Sequence, residues 1–268
     1  MRQGRPVPAG EKLMALAEYI YQRREQRDIL VMAHVVCGYP SFEANMQALE
    51  IMQAAGVDLV ELQFPFSEPS ADGPLFVKAN EASLKAGTTV DQCFDFMRAV
   101  SQRFSFKVMM MGYYNTVYKM GEAQFVERLA DAGGVAFIVP DLPIEESENL
   151  HRLSAAAAIE PIVLMTPTTS EARLAVLGEA CRGMAYVVAR KGVTGSKIAM
   201  GDDVLALIER CRRHTEVPIG VGFGVSSRDD LEVLRGAADV AIVGTAALRA
   251  WQTGGADGLQ EFFNALMA

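Results

Sequence analysis

Three carboxylates fall within one short stretch near the end of an apolar run. The run 57–62 carries Glu61 close to its end, and the proline- and glycine-rich loop after it carries Glu68 and Asp72. A carboxylate fixed at the end of a buried strand, with a second held over it by a loop, is a common acid/base pair. The stretch alone leaves a second interpretation open, in which Glu61 only ends a strand and Asp72 only begins a helix.

Glycines mark the points where the last two apolar runs give way to helical periodicity. Gly222 and Gly224 follow the seventh run, and Gly244 and Thr245 follow the eighth. Glycine lets backbone N–H groups approach an anion closely, and a helix N-terminus adds a favourable dipole. Barrels most often hold a phosphate in these two loops, so the pattern predicts a phosphorylated substrate. A simpler interpretation, in which the glycines turn the chain and a serine caps a helix, is compatible with it.

Eight apolar runs alternate with segments of helical periodicity, which indicates a parallel sheet covered by helices. At 268 residues the leading prediction is a closed (β/α)8 TIM barrel with an extra N-terminal helix. An open doubly wound sheet is the alternative, but no GxGxxG follows the first run. The predicted strands are 29–36, 57–63, 107–111, 135–139, 161–165, 185–189, 218–221 and 240–243. The predicted helices are 12–27, 42–55, 90–104, 122–132, 144–157, 170–180, 202–214, 227–235 and 259–268.

Two loops depart from the regular repeat. The segment between the second and third predicted strands is roughly twice the usual length and includes residues 61–74. Active sites of barrels lie where strands end and loops begin, so this enlarged loop is predicted to be functional. The loop 190–197 is rich in glycine and polar residues, which suits a mobile lid.

Composition narrows the class of protein. Half of the residues are hydrophobic and 22% are charged, so one domain spanning residues 1–268 can bury a large core. The net charge of -8 argues against a nucleic-acid or anionic-membrane partner. No apolar run reaches the ~18–20 residues of a membrane span.

The cysteines give no sign of a metal or redox cofactor. All four are scattered, without a CxxC or His/Cys spacing, so we expect idle thiols in a reducing cytoplasm and no cofactor. Residues 1–10 contain arginine and proline but no apolar core, so they are expected to form a flexible N-terminus rather than a signal peptide.

Five motifs, in order along the chain, resemble the tryptophan synthase alpha subunit family. The resemblance runs from about Lys12 to the C-terminus. It implies a (β/α)8 barrel that cleaves indole-3-glycerol phosphate to indole and glyceraldehyde 3-phosphate, beside a beta subunit in an α2β2 complex. The motifs are Glu61-Leu62 with Pro65-Phe66-Ser67 and Ala71-Asp72-Gly73-Pro74, Pro140-Asp141-Leu142-Pro143-Ile144-Glu145-Glu146, Arg190 with Gly192-Val193-Thr194-Gly195, Gly222-Phe223-Gly224, and Val243-Gly244-Thr245.

The resemblance also implies roles for individual residues. Glu61 would protonate the indole ring and accept the glycerol hydroxyl proton, and Asp72 would accept a hydrogen bond from the indole N–H. Tyr186 would lie near the catalytic carboxylate. Thr194 would bond Asp72 when its loop closes. The substrate phosphate would be held by Gly195, Gly224, Gly244 and Thr245, with the backbone of Phe223 nearby.

Retro-aldol cleavage independently calls for two carboxylates in different environments. One carboxyl group must transfer protons, which requires a pKa raised by apolar surroundings, while its partner must stay ionised. Phe64, Phe66 and Met111 are candidates for such an apolar wall.

Several positions depart from the family pattern. Gln63 stands where the family commonly has glycine. Glu68 stands where the family commonly has aspartate, at a position expected to face the beta subunit, which puts the coupling to that partner in question. His34 replaces an aromatic residue of the indole pocket; it could stack there as a neutral imidazole or be a hydrogen-bonded core residue. Lys78 is expected on a helix surface, and Thr245 keeps the hydroxyl of the usual serine.

Other functions remain as alternatives. A Schiff-base aldolase needs a buried lysine at a strand's C-terminal end, but Lys107 lies at the other end and Lys191 and Lys197 lie on the glycine-rich loop. A sugar-phosphate isomerase is possible on fold alone. A stand-alone lyase that releases indole, and a non-catalytic barrel that regulates the beta subunit, are also considered.

Overall fold

Eight parallel strands close into a barrel in chain order, with β1 paired to β2 on one side and to β8 on the other. The computed structural model describes residues 15–189, 201–222 and 224–268. The predicted (β/α)8 barrel is therefore confirmed, with every strand boundary within two residues of its prediction. The strands are β1 (Leu30–Val36), β2 (Leu59–Gln63), β3 (Lys107–Met111), β4 (Ala136–Ile138), β5 (Glu160–Met165), β6 (Ala185–Val188), β7 (Ile219–Gly222) and β8 (Val240–Val243).

Helices surround the barrel, and most lie where the periodicity predicted them. The predicted helix 144–157 is divided into a 3-10 turn at Ile144–Glu146 and a separate α-helix. The helices are α1 (Leu16–Arg24), α2 (Phe42–Ala55), α3 (Pro74–Lys85), α4 (Val90–Arg103), α5 (Tyr114–Met120), α6 (Glu122–Asp131), α7 (Glu148–Ala156), α8 (Glu171–Ala180), α9 (Asp202–Arg212), α10 (Arg228–Leu234) and α11 (Thr245–Met267).

Three helical segments were not predicted as such. The extra length between β2 and β3 holds α3 as well as α4, and Lys78 is exposed on α3 as expected. The short α5 was missed, and α11 begins 14 residues before the predicted 259–268. Gly255, near the middle of α11, breaks the helical geometry, with φ 59° and ψ -140°.

Alternate residues of each strand face opposite sides, because side chains in a strand repeat every two residues. Leu30 and Met32 of β1 belong to the cluster inside the barrel, whereas Val31 and Ala33 pack against the helices. In β2 the same alternation sends Leu59 inward and Val60 and Leu62 outward. It follows that the odd-numbered residues of β2 line the interior.

The extra N-terminal helix covers one end of the barrel. Leu16 and Ile20 of α1 pack into the interior cluster. Arg23 of α1 and Arg27 both form ion pairs with the buried carboxylate of Asp58, at 2.8 and 2.9 Å. The opposite end, where the strands terminate, is left for ligands. Residues 1–10, predicted to be flexible, lie outside the described residues. Among the helices of the described part, none has the length and apolar character needed to cross a bilayer.

Candidate active site

Glu61 lies on the inner face of β2 and is almost completely buried, with 3% of its surface exposed. Its neighbours across the sheet are His34 on β1 and Met109 on β3. Burial, and then the negative charge of Asp72, raise the pKa of Glu61 to about 8. Its carboxyl group therefore holds a proton at neutral pH, although an ordinary glutamate would not.

Asp72 lies in the loop after β2, and two side chains hold it. The amide Nε2 of Gln63 donates to its Oδ2 at 2.7 Å, and the hydroxyl of Tyr113 donates to the same oxygen at 3.3 Å. Burial raises the pKa of Asp72 to about 6, with both hydrogen bonds acting in the opposite direction. At neutral pH the two carboxyl groups thus carry different protonation states, with Asp72 ionised and Glu61 protonated.

Tyr186 of β6 also points into the barrel, where it belongs to the interior cluster. Burial, followed by the charges of Glu61 and Asp72, raises the pKa of Tyr186, which places its ring beside both carboxylates. Gly222 at the end of β7 makes room for it, because a Cβ at this position would lie 2.5 Å from Cε1 of the ring. The absence of a side chain at Gly222 is required for packing, a role that sequence reasoning did not assign.

His34 faces the interior from β1 and is a stacked neutral ring. Its imidazole lies 4.3 Å from the ring of Phe76, centroid to centroid, at an interplanar angle of 21°. Its Nε2 is 3.8 Å from Oε1 of Glu61. Burial lowers the pKa of His34 to about 3, and the nearby Gln63 only partly opposes this. Of the two interpretations offered by the sequence, the geometry matches the stacked neutral imidazole.

The apolar wall around the carboxylates contains two of its three predicted members. Met111 lies inside the barrel, in register with Gln63, and Phe66 stacks on Tyr113 at 5.0 Å. Phe64 is not brought to the site, and its predicted contact with the substrate is corrected here. Its ring packs against Phe94 at 5.2 Å, in the layer between sheet and helices. The reason is the two-residue alternation that turns positions 61 and 63 inward and 64 outward.

The predicted phosphate loops are only partly described. Gly244 lies between the end of β8 at Val243 and the start of α11 at Thr245. Gly244 lies against the aromatic wall, since a Cβ there would be 3.3 Å from Phe76 and 3.6 Å from His34. Gly224 has a φ of 142°, which favours glycine. The predicted residues Thr194, Gly195 and Phe223, and the predicted lid 190–197, lie outside the described residues.

The serine cap proposed for the seventh loop is present. The hydroxyl of Ser227 accepts from the backbone N–H of Asp230 at 3.4 Å, at the start of α10. The carboxylate of Asp230 in turn accepts the backbone N–H groups of Ser226 and Ser227, at 2.8 and 2.9 Å. These two backbone donors are therefore already paired within the protein.

Sequence reasoning missed three residues that build the site. Tyr113 accepts from the backbone N–H of Ala71 at 3.0 Å while it donates to Asp72. Asn80 accepts from the backbone N–H of Phe66 at 2.9 Å, and Phe76 supplies the ring under His34. Tyr113 stands just beyond β3, where barrel sites are found, so its position was an available signal. Asn80 and Phe76 lie on α3, which was not predicted, so no signal in the sequence marked them as site residues.

Three buried polar atoms in the described part of the chain lack a hydrogen-bond partner, and all three are here. They are Nε2 of His34, Oε2 of Glu61 and Oε1 of Gln63. Buried polar atoms are almost always paired, so a cluster of three unpaired ones marks this region as a candidate binding site. Within the same described ranges, no group of three His, Cys, Asp or Glu side chains is arranged to hold a metal ion.

Known proteins resemble this chain over nearly its whole length. A family model described as tryptophan synthase alpha chain matches residues 20–264. The tryptophan synthase alpha chain of Desulforapulum autotrophicum is 42% identical over 251 residues, which cover 94% of this chain and 99% of that protein. The one from Syntrophotalea carbinolica is 41% identical over 247 residues, covering 92% and 98%.

Solved structures give the same result. The tryptophan synthase of Mycobacterium tuberculosis superposes with a TM-score of 0.87 at 29% identity, covering 94% of this chain and 97% of that one. A chain of the tryptophan synthase complex from Pyrococcus furiosus superposes with a TM-score of 0.80, covering 89% and 97%. At 23% identity, the second likeness shows the fold alone.

Proposed function

The chain belongs to the tryptophan synthase alpha chain family, lyases that cleave indole-3-glycerol phosphate, and we propose that Glu61 and Asp72 divide the proton chemistry of that cleavage between them. The observation that carries this assignment is a buried carboxyl group on the inner face of β2, Glu61, close to a second one, Asp72, that two donors hold; burial raises both pKa values, to about 8 for Glu61 and about 6 for Asp72. A protonated acid beside an ionised carboxylate is the arrangement that an aldol cleavage of this kind needs.

Glu61 moves one proton in each direction. As the acid, it protonates C3 of the indole ring, which leaves a positive charge on the ring nitrogen. As the resulting carboxylate, it accepts the proton of the neighbouring glycerol hydroxyl while the bond from C3 to the glycerol carbon breaks. The electron pair of that bond returns to the ring, so indole and glyceraldehyde 3-phosphate form and Glu61 is protonated again. The apolar surroundings that raise its pKa make it an effective donor near neutral pH.

Asp72 stabilises the positive charge that develops on the ring nitrogen. Both of its described side-chain hydrogen bonds, from Gln63 and Tyr113, reach Oδ2. In this role its Oδ1 accepts the indole N–H, and the ionised carboxylate favours the cationic intermediate over the neutral substrate. Met111, Phe66 and the stacked His34 provide flat or apolar surfaces that suit the indole ring.

The phosphate of the substrate is assigned to the start of α11 and to Gly224. Gly244 and Thr245 stand where the helix dipole favours an anion, and Gly244 borders the wall formed by His34 and Phe76. In this proposal the phosphate binds beside the ends of β7 and β8, whereas the carboxylates lie at and just beyond the end of β2. Gly195, Thr194 and Phe223 stay predictions for the same substrate.

The partner is assigned as a tryptophan synthase beta subunit in an α2β2 complex that receives the indole. The Pyrococcus furiosus chain that shares this fold comes from a tryptophan synthase complex. In this chain Glu68, which the family resemblance directs toward the beta subunit, is exposed. We place the reaction in the cytoplasm, where the four buried free thiols of the described chain would stay reduced.

The first test measures indole and glyceraldehyde 3-phosphate released from indole-3-glycerol phosphate, with and without a beta subunit. Glu61→Gln conserves shape and should lower release by about 10²–10⁴-fold, the usual contribution of a general acid/base. Glu81→Gln, which alters an exposed carboxylate of α3, is the matched control and should have no effect.

Each outcome separates the candidate functions. Release that rises with the beta subunit and disappears in Glu61→Gln supports the assignment. Strong indole release that does not change when the beta subunit is added would indicate a stand-alone lyase. Near-normal turnover of the Glu61→Gln protein would reject Glu61 as the catalytic acid, and no release by folded wild-type protein would favour a non-catalytic regulatory barrel.

A further inference from the structure

Gln63 is an unusual residue to find at the end of a barrel strand, because its amide is completely buried. None of its surface is exposed, and its neighbours across the sheet are the apolar residues Val36 and Met111. Its Nε2 donates to Oδ2 of Asp72 at 2.7 Å, whereas its Oε1 has no hydrogen-bond partner among the described residues. Methionine, which has nearly the same length, would fill this space without burying an unpaired carbonyl. Packing alone therefore does not explain an amide here.

The chemistry of the contact determines which way the amide faces. An ionised carboxylate can only accept hydrogen bonds, so the nitrogen of Gln63, not its oxygen, must face Asp72. The Tyr113 hydroxyl donates to the same oxygen, Oδ2. Two donors, Gln63 on β2 and Tyr113 two residues beyond β3, converge on Oδ2 and orient the carboxylate, which leaves Oδ1 for a third donor.

The loop backbone next to Asp72 is held by Tyr113, whose hydroxyl accepts from the N–H of Ala71, whereas the Asp72 carboxylate itself is held by the side chains of Gln63 and Tyr113. Asp72 lies in a loop punctuated by proline and glycine, and its own N–H bonds only to the nearby carbonyl of Pro69, at 2.9 Å. Gln63 is a strand residue, so the barrel fixes its position. A positioning group is expected to be a donor on a rigid element that forms a hydrogen bond with a carboxylate on a loop, and Gln63 has this arrangement.

We propose that Gln63 is a positioning residue for Asp72, holding its Oδ2 so that Oδ1 is presented to the indole N–H before the substrate arrives. The proposal rests on the role of Asp72 proposed above and adds a residue to it. Glycine is common at this position in the family that the motifs resemble, and glycine has no side chain to make the bond. In this chain the Gln63 side chain supplies that bond to Asp72 at 2.7 Å.

The test replaces Gln63 with methionine, which keeps its length but removes the donor, and with glycine, which removes the side chain. The kcat should fall by about 10–100-fold, the range expected for losing a hydrogen bond to a charged group, with a smaller change in KM. The acidic limb of the pH profile should move to higher pH, because the bond from Gln63 lowers the pKa of Asp72. A purely structural defect would lower the rate equally at every pH.

A second readout makes no use of activity. The carboxyl carbon of Asp72 can be titrated by ¹³C NMR, with its signal assigned from Asp72→Asn, and its midpoint should rise in both Gln63 variants. Gln53→Met is the matched control: Gln53 also uses its amide, donating to Ser105 at 2.9 Å, but it lies on the surface of α2. It should change neither the titration nor the pH profile. If Gln63→Met does not fold, Gln63→Gly, which adds no bulk, serves for both measurements.

An unchanged Asp72 titration in the folded Gln63 variants would overturn the proposal. A shifted titration with unchanged kcat would overturn the positioning role while leaving the contact intact. The proposed function fails separately, since it requires that Asp72→Asn itself lose most of its activity. Shifted titration together with reduced kcat supports the proposal.

Discussion

At the scale of single residues, burial gives two similar carboxylates different tasks. Glu61 is buried between Met109 and the neutral His34, and no donor among the described residues reaches its Oε2, so its protonated form is favoured. Asp72 is held by Gln63 and Tyr113, and each of these donors stabilises the ionised form. The difference follows from where each group sits relative to donors, and it could not arise from the two side chains alone.

The opposed protonation states predict a bell-shaped pH profile for kcat/KM. The rate should rise as Asp72 ionises, with an apparent pKa of about 6, and fall as Glu61 loses its proton, with an apparent pKa of about 8. The two apparent values belong to the interacting pair. Indole release measured from pH 5 to pH 9 checks this, and a profile that is flat across that range would contradict it.

At the scale of elements, the ends of neighbouring strands meet so closely that some positions have room only for glycine. Gly222 ends β7 beside Tyr186, whose strand, β6, pairs with β7. The phosphate interpretation of the glycine pattern was incomplete, because this glycine is also needed for packing. Helix α3, which was not predicted, also builds the site. It carries Phe76, which stacks on His34, and Asn80, whose side chain accepts from the N–H of Phe66 in the loop after β2.

Gly222→Ala is therefore predicted to be harmful although it adds only one methyl group. The new Cβ would overlap the Tyr186 ring, so either the ring or the strand end must move. Overpacking of this kind costs about 1–3 kcal/mol, and the displaced ring should also lower kcat. Thermal unfolding and indole release measure both effects. Gly254→Ala is the control, because a Cβ there meets nothing within 4 Å; equal behaviour of the two variants would refute the packing role.

At the scale of the whole molecule, the buried Glu61 makes stability depend on pH between about pH 4.5 and pH 8. Glu61 would lose its proton near pH 4.5 in the unfolded chain but keeps it up to about pH 8 in the barrel. Between these values the folded state binds more protons, so the free energy of unfolding contributed by this group decreases as the pH rises.

Glu61→Gln should consequently stabilise the protein, and more so at pH 8 than at pH 5. The gain at pH 8 is expected to be on the order of a few kcal/mol, because the group is buried and its shift is large. Urea unfolding of the wild type and the variant at both values measures it. Glu81→Gln should not give a stabilisation that increases with pH. If the increase in the free energy of unfolding caused by Glu61→Gln were the same at both pH values, it would contradict the raised pKa of Glu61.

The amino-acid sequence by itself determined the order of strands and helices, the closed barrel and the carboxylates at the end of β2. These features depend on periodicity, chain length and residue type, which are local properties of the chain. Tertiary structure alone decided that Phe64 faces the helices and that His34 is a neutral ring stacked on Phe76. It also decided that Gln63 and Tyr113 donate hydrogen bonds to Asp72. These outcomes depend on the phase of each strand relative to the core and on contacts between distant segments, and neither is encoded in any single window of residues.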